Sequence, residues 1–340
     1  MQANQPEQSQ WVDTKDAFAV STANRPALAK PIRIKPALED REYVRSLFDR
    51  HAPYRAVAAH LPDGSDETGG PRPADAVFPW FRDTWAVGGK PRIDGAESIL
   101  HNPHFMQAAQ ALFPSAQIVP KTVVVNINAP MPDGVAHVDV PVFRGASREN
   151  FALRLLMAMG ASELFEHWRV IQAGAVTWFY EGPGGGFDYW PDGPGGSMQT
   201  ERAPFGNVAI VADSDRMYHR IARIGPADGV LPRMTVNAVI RRDSDDGWCI
   251  FDGNVRRVRY PKEAVRLSVA WKAEVVFDDL TSVGRSPLIP RRVLQILQAD
   301  LRQRGIPCEG GLELLQDPQW IARVQRTYAC LAKAAGPRVQ

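Results

Sequence analysis

Hydrophobic and polar positions in the middle of the chain follow patterns that predict β-strands. KTVVVNIN, residues 121–128, and VIQAGAVTWFY, residues 170–180, are rich in β-branched and aromatic side chains. Such side chains are enriched in strands because they pack well on a pleated surface. The longest and most regular pattern is VRLSVAWKAEVVF, residues 265–277. Shorter patterns predict further strands at 135–143, 206–212, 218–224, 233–240 and 248–251.

Turn signals separate several of these segments. Asp246-Gly247 and Asp252-Gly253 predict hairpin turns, because Asp-Gly readily adopts the positive φ angles that tight hairpins need. Residues 182–196 are rich in Gly and Pro and are predicted to form a loop. No helical pattern follows this stretch, which argues against a phosphate-binding loop.

Helical periodicity lies on both sides of the strand region. Apolar residues recur at helical spacing in 37–50, and the pattern of 94–113 predicts one helix or two short ones. A helical insert is predicted at 148–167, and the chain is predicted to be helical from 291 almost to its end. The whole pattern predicts an antiparallel β core with flanking helices, of the barrel or jelly-roll type.

Three regions are expected within one structural domain. Residues 1–119 would place an N-terminal arm (1–36), helices and a long loop (61–93) on the core. Residues 120–280 would form the β core, and residues 281–340 a helical extension.

Composition narrows the possible functions. The 340 residues include 40 Lys+Arg and 38 Asp+Glu, a net charge of +2, which argues against a basic nucleic-acid-binding protein. The 27 Gly and 28 Pro favour a fold with many turns. Three widely spaced cysteines indicate neither a disulfide framework nor a cysteine zinc site. A polar N-terminus and the lack of a long apolar run predict a cytoplasmic enzyme without a membrane span.

One of the seven histidines lies in a pattern that suggests metal binding. His137 comes two residues before Asp139 in GVAHVDVPVF, and residues i and i+2 of a strand face the same side. An imidazole and a carboxylate on one inward face are costly unless they bind something. They would supply two of the three ligands of a 2-His-1-carboxylate facial triad. The histidines expected to be surface or structural residues are His51, His60, His101, His104 and His167.

The candidate for the third ligand is His219, which opens a predicted strand after a short acidic turn. The order HVD, then GNVAIVADSDRMYHRI, then a strand with Arg-x-Ser/Thr resembles the Fe(II)/2-oxoglutarate-dependent oxygenases. The resemblance covers about 120–277. The flanking regions resemble no family that we can name.

The resemblance implies a double-stranded β-helix, a cupin-like jelly roll, in which His137, Asp139 and His219 hold Fe(II). It further implies that 2-oxoglutarate and O₂ are consumed, with release of succinate and CO₂, while a substrate is oxidised. Members of the family that halogenate carry a small residue in place of the carboxylate. Asp139 therefore implies hydroxylation, desaturation or another non-halogenating oxidation.

The resemblance also requires a basic side chain for the distal carboxylate of 2-oxoglutarate, usually Arg followed two residues later by Ser or Thr. A guanidinium binds a carboxylate through two parallel hydrogen bonds, and the hydroxyl at i+2 faces the same pocket. Arg266 with Ser268 lies on the most regular strand, 47 residues after His219. Arg233 with Thr235 lies 14 residues after His219, which is the usual spacing. We prefer Arg266 and keep Arg233 as the alternative.

Five further residues are weaker candidates. Asn126 and Asn128 share one face of their strand, where they could bind the cosubstrate or be ordinary polar residues near a strand end. Trp178 could line a substrate pocket or fill the core. Trp80 and Arg82, in the predicted loop 61–93, could form a substrate lid or a satellite hydrophobic cluster.

The leading hypothesis is an oxygenase that hydroxylates a small organic molecule. One alternative is a cupin-like metal-dependent dioxygenase or isomerase that does not use 2-oxoglutarate. Another is a catalytically silent jelly-roll binding protein. The expected partner is a small molecule, without nucleic acid or membrane, and the helical C-terminus at 291–335 is a candidate homodimer surface.

Overall fold

The computed structural model describes residues 28–60, 77–227, 229–243, 247–277 and 286–334. Most of the predicted arm, the first part of the loop 61–93 and Asp246 of one predicted hairpin turn lie outside these ranges.

The strands are β1 (Ile32–Ile34), β2 (Tyr54–Ala56), β3 (Trp80–Val87), β4 (Lys90–Pro91), β5 (Gln117–Asn128), β6 (Val142–Phe143), β7 (Arg169–Phe179), β8 (Phe187–Trp190), β9 (Gln199–Glu201), β10 (Ala209–Ala212), β11 (Tyr218–Ile221), β12 (Val239–Arg242), β13 (Gly247–Asp252), β14 (Val255–Pro261) and β15 (Arg266–Val276). The α-helices are α1 (Arg41–Arg50), α2 (Glu97–Leu100), α3 (Pro103–Leu112), α4 (Leu153–Ser162), α5 (Pro290–Gln303) and α6 (Pro318–Ala334). Short 3₁₀ turns lie at Val57–His60, Glu166–Trp168, Lys262–Ala264 and Leu312–Gln316.

Two antiparallel sheets make up the β structure. The larger is a 12-stranded sheet in the order β1-β10-β7-β15-β5-β3-β2-β12-β13-β14, with β4 on β3 and β6 on β7. The smaller has the order β11-β8-β9. Two isolated bridges, Met131 with Ile224 and His137 with His219, add residues 131–137 to the edge of the small sheet beside β11.

The chain alternates between the two sheets, which is the winding of a double-stranded β-helix. It passes from β5 in the large sheet to residues 131–137 beside the small sheet, back to β7, across to β8 and β9, back to β10, across to β11, and finally into β15. Side chains from both sheets share one buried cluster, in which Trp178 and Ile210 of the large sheet meet Phe187 and Tyr189 of the small one. The expected jelly-roll core with flanking helices is confirmed.

Helices cover the opposite face of the large sheet. Leu47 and Phe48 of α1 and Phe105 of α3 share a core with Val125 of β5 and Trp271 of β15. The same sheet continues past the jelly roll through β3, β2, β12, β13 and β14. This layer holds the large sheet from outside and leaves its other face free to line the jelly-roll interior.

A separate buried cluster joins the helical insert to the C-terminal helices. Leu155 of α4 packs in it with Leu297 of α5 and with Trp320 and Val324 of α6. The predicted insert 148–167 and the predicted C-terminal helices therefore form one helical unit. No helix within the described ranges is long and apolar enough to cross a membrane.

The prediction of a loop over 61–93 is wrong for its second part, because Trp80–Val87 is strand β3 of the large sheet. Phe81 and Trp85 are fully buried in the core beneath the helices. Arg82 lies on the other face, where it contacts Asn126. This alternation between the two faces is short, and the Gly and Pro residues on either side of it favour a loop in the sequence.

The predicted strand 135–143 is confirmed only at Val142–Phe143. Pro132 and Pro141 lack the N–H group that a continuous ladder requires. Around His137 the segment therefore pairs with β11 through separated contacts rather than as a regular strand.

Further segments differ from the prediction, among them Ile32–Ile34 of the predicted arm, which is strand β1 and pairs with β10. The loop 182–196 contains a strand, β8, at Phe187–Trp190. The predicted strand 233–240 begins only at Val239. Strand β14, Val255–Pro261, was not predicted, because its exposed arginines interrupt the apolar pattern at the edge of the sheet.

Replacing Trp85 with alanine is expected to lower the free energy of unfolding by about 3–5 kcal/mol, the range for deleting a large buried aromatic side chain. Trp85 is 0% exposed, and its ring lies 4.9 Å from that of Phe48. Phe78→Ala is the matched control, since Phe78 lies just before β3 and is 41% exposed. Urea unfolding followed by circular dichroism measures both variants. Equal losses in the two variants would contradict the burial of β3.

Candidate metal centre

Three side chains converge beside the edge of the small sheet. One possible ligand atom each from His137, Asp139 and His219 lies within 4.8 Å of the other two. The backbone produces this meeting, because His137 N donates to His219 O at 3.0 Å and His219 N donates to His137 O at 2.9 Å. Asp139 N donates to Ser214 O at 3.0 Å, which anchors the third residue to the turn before β11. No other group of three His, Cys, Asp or Glu residues in the described ranges has this arrangement.

Hydrogen bonds to the backbone orient both imidazoles. His137 Nδ1 lies 2.7 Å from Val135 O, and His219 Nδ1 lies 3.0 Å from Met217 O. A carbonyl oxygen only accepts, so Nδ1 is the donor in each ring and Nε2 is the nitrogen left for a metal ion. Metal-binding histidines commonly donate their other nitrogen in this way, which fixes the tautomer and the ring orientation.

Electrostatics favour the protonation states that metal binding requires. Burial alone would raise the pKa of Asp139, but the Lys272 ammonium at 3.0 Å and His219 nearby hold this pKa well below its usual range. Burial lowers the pKa of His219, against the opposing effect of Asp139. The carboxyl group is therefore ionised at neutral pH and the His219 imidazole is neutral, which are the forms that bind a metal ion.

A small cavity extends from the triad between the two sheets. Its walls combine a few polar side chains with an apolar lining that continues into the jelly-roll interior. The lining residues are Asp139, Gly174, Ala175, Val176, Phe187, Ile210, Ala212, Ser214, Met217, His219, Ala270, Trp271 and Lys272.

Arg266 lies deeper in the same interior, at the start of β15. It is 1% exposed, and its Nε donates to Gly185 O at 2.7 Å. Its Nη2 is buried and has no hydrogen-bond partner among the described residues, and the same is true of the indole Nε1 of Trp178. The guanidinium lies 6.0 Å from the ring of Trp178 and 5.7 Å from that of Phe205. Burial lowers the pKa of Arg266 to about 9, so the group is still cationic at neutral pH.

Strand register places the other candidates of this region. Ser268 is 2% exposed and lies opposite Asn126 on one side and Trp178 on the other. Asn128 is fully buried and lies opposite Arg266, with its Oδ1 unpartnered among the described residues. These side chains share the face of the large sheet that lines the jelly-roll interior.

Asn126 forms hydrogen bonds with both Trp80 and Arg82, the two residues for which the sequence suggests a substrate lid. Its Oδ1 accepts from Trp80 Nε1 at 2.9 Å and from Arg82 Nε at 2.8 Å. The Arg82 guanidinium lies 5.1 Å from the ring of Trp80. The two residues lie on strand β3 rather than on a loop, and they form a fixed polar and aromatic group at its start. Trp178, in contrast, is fully buried and stacks on Phe205 with ring centres 4.8 Å apart.

The alternative pair for 2-oxoglutarate lies elsewhere. Arg233 is exposed and lies outside the strands described above. The Thr235 hydroxyl donates to Asp252 Oδ1 at 2.7 Å, so it is engaged at the end of β13. The structure does not bring Arg233 and Thr235 together with the triad.

Sequence reasoning did not single out Lys272, whose ammonium contacts Asp139. Lys272 lies six residues after Arg266 on β15, and even spacing along a strand places two residues on the same face. The alternation that selected Arg266 and Ser268 was therefore a signal for Lys272 as well. Asp215 belongs to the short acidic turn before His219. Its carboxyl group is buried and lies 3.8 Å from Lys272 Nζ.

Comparisons with known proteins give only remote likenesses. No protein-family model and no curated protein matches the chain. Among solved structures, it is similar to an oxidoreductase of the 2OG-Fe(II) oxygenase family from Burkholderia pseudomallei, with 9% identity and a TM-score of 0.38 over 72% of this chain and 85% of that one. It is also similar to a prolyl-4-hydroxylase from Pseudomonas putida, with 12% identity and a TM-score of 0.37 over 72% and 93%. The non-heme alpha ketoglutarate dependent epimerase SnoN from nogalamycin biosynthesis matches with 12% identity and a TM-score of 0.40 over 77% and 89%. Because these values are low, the fold assignment rests on the strand order.

If the triad holds a metal ion, one Mn(II) per chain should bind in isothermal titration calorimetry. His137→Ala and His219→Ala should each weaken this binding at least tenfold, because each removes one of three ligands (about 1.4 kcal/mol or more). His101→Ala is the control, since His101 is exposed and lies 3.2 Å from Glu97 on helix α2. Equal Mn(II) affinity in all variants would show that the triad is not the metal site.

Proposed function

We propose that this protein is a non-haem Fe(II)- and 2-oxoglutarate-dependent oxygenase that hydroxylates or otherwise oxidises a small organic molecule. One combination of features carries the proposal. The jelly-roll interior holds both an open-sided triad of His137, Asp139 and His219 and a buried arginine, Arg266, with no carboxylate partner among the described residues. A metal site alone would not require the buried cation.

The triad fits Fe(II) by the chemistry of its donors. One nitrogen of each imidazole and one carboxylate oxygen lie within 4.8 Å of one another, and a 2-His-1-carboxylate ligand set leaves other coordination positions of a metal open. Bound Fe(II) would supply the chemistry that couples O₂ and 2-oxoglutarate to substrate oxidation, with release of succinate and CO₂. The protein keeps the two rings fixed through the carbonyls of Val135 and Met217.

Buried, unpartnered donors support a site for the 2-oxoglutarate carboxylate. Arg266 Nη2 and Trp178 Nε1 are both donors without a partner among the described residues. A buried donor left unpaired costs free energy, so an anionic ligand that accepts from them would be stabilised. Ser268 lies on the same face of the strand and would add a hydroxyl. Because Arg233 is exposed, we keep Arg266 as the residue that binds this carboxylate.

The remaining interior residues would exclude water and position the substrate. The ring of Phe205 lies 5.7 Å from the Arg266 guanidinium and that of Phe187 lies 5.5 Å from the His219 ring, so both would add apolar surface between Arg266 and the triad. Such a lining strengthens the ionic contacts made inside it. The fixed group of Trp80 and Arg82 would present an indole and a guanidinium to a substrate at the edge of this interior.

Arg266→Lys and Arg266→Met are expected to weaken 2-oxoglutarate binding about tenfold or more, because losing a charge-assisted hydrogen bond costs roughly 1.5–3 kcal/mol. Binding is measured under anaerobic conditions from the weak visible charge-transfer band of Fe(II) with 2-oxoglutarate. Arg233→Met should leave the affinity unchanged. The opposite result for the two arginines would assign the carboxylate to Arg233.

The same titration tests the function as a whole. A charge-transfer band together with succinate formation in air supports the proposal. Metal binding without any response to 2-oxoglutarate would favour a cupin-like metal enzyme. Absence of metal binding would favour a silent jelly-roll binding protein.

A further inference from the structure

The Lys272 ammonium has three polar neighbours beside the triad. Its Nζ lies 3.0 Å from Asp139 Oδ2, 3.4 Å from Gln172 Oε1 and 3.8 Å from Asp215 Oδ1. Its side chain is 25% exposed, whereas that of Asp215 is 2% exposed. Gln172 and Asp215 therefore hold the Lys272 ammonium in one position beside Asp139. The ammonium of an exposed lysine without such partners would be mobile.

The two oxygens of Asp139 have different surroundings. Oδ1 lies 3.9 Å from His219 Nε2, so it faces the other possible ligand atoms. Oδ2 is occupied by Lys272. The carboxylate thus presents one oxygen to the triad and has the other engaged in an ion pair.

We propose that Lys272 is a positioning residue that restricts Asp139 to one ligating oxygen and thereby keeps a coordination position open for the anionic cosubstrate. This inference rests on the proposed function, since it requires a metal at the triad. Lys272 acts through Asp139 and need not touch the metal.

The charge of Lys272 is also expected to favour binding of the anionic cosubstrate. The Asp139 carboxylate carries one negative charge, which the Lys272 ammonium at 3.0 Å offsets, and Asp215 lies 3.8 Å from the same ammonium. With Lys272 present, a divalent ion in this site would keep more of its positive charge to attract the dianionic 2-oxoglutarate. Without Lys272 the local charge falls by one and Asp139 Oδ2 becomes free to bind the metal as well. Both effects weaken 2-oxoglutarate binding, and neither weakens metal binding.

A purely structural lysine would behave differently. If Lys272 only stabilised the fold around Asp139, its loss would disturb the triad and weaken the binding of metal and 2-oxoglutarate together. The separation of the two affinities is therefore the signature of the proposed role.

The experiment uses the full chain with Mn(II) and 2-oxoglutarate in isothermal titration calorimetry. Lys272→Met should bind Mn(II) as tightly as the unaltered protein or more tightly. Its Mn(II)-loaded form should bind 2-oxoglutarate about tenfold more weakly, a typical effect of one screened unit charge several ångströms away. Lys272→Arg, which keeps the charge, should restore most of the affinity. Lys121→Met is the matched control, because Lys121 of β5 forms an ion pair at 3.2 Å with Glu274, which lies on β15 as Lys272 does.

Three results would overturn the inference. In the first, Lys272→Met binds 2-oxoglutarate with unchanged affinity, which refutes the role of Lys272 while the proposed function stands. In the second, the variant loses Mn(II) and 2-oxoglutarate affinity in parallel, which indicates a structural role. In the third, the unaltered protein binds no Mn(II), which refutes the proposed function itself. Lys272→Gln provides the same neutral test if thermal melting shows that the methionine variant does not fold.

Discussion

The pair of backbone hydrogen bonds between His137 and His219 is the constraint on which the candidate metal centre depends. These bonds join segments 82 residues apart in the chain, and all of β7 to β10 lies between them. Because side chains alternate in direction along extended chain, a shift of one residue in this pairing would turn one imidazole away from the other. The large sheet and the helices packed on it take no part in these two hydrogen bonds. They stabilise the two-sheet arrangement in which the pairing forms.

Other buried charged side chains in the molecule are paired with a side chain of opposite charge. Asp300 is buried and bonds to Arg304, whose Nε lies 2.6 Å away. Asp188 is buried and bonds to Arg220 at 2.9 Å. Arg266 is buried more completely than either of these acids, yet its one polar contact to the described residues is a neutral carbonyl. A buried cation is costly without a counter-charge, and the carboxylate ligand that we propose for Arg266 would offset this cost.

Sequence patterns were informative where a local period decides the structure. The regular strand around Arg266 needed no tertiary information. The segment with His137 and Asp139 is not a regular strand, and backbone pairing with His219 and Ser214 brings these residues together. The alternation in Trp80–Val87 is short and lies among Gly and Pro residues, so the sequence predicts a loop there, whereas pairing with β2 and β5 makes it a strand. The ion pair of Lys272 with Asp139 depends on how two sheets meet, which no local period encodes.

The alternation of β15 links the stability of the fold to the chemistry of the site. Leu267, Val269 and Trp271 point into the core under the helices, while Arg266 and Lys272 point into the jelly-roll interior. A slip of one residue would bury the two cations in the helical core and place the apolar side chains around the site. The hydrophobic core that stabilises the sheet is therefore also what selects the register that brings a cation to each end of the interior. Arg266 and Lys272 are therefore fixed by the pairing of β15 with β5 and β7, and both positions follow from the same register.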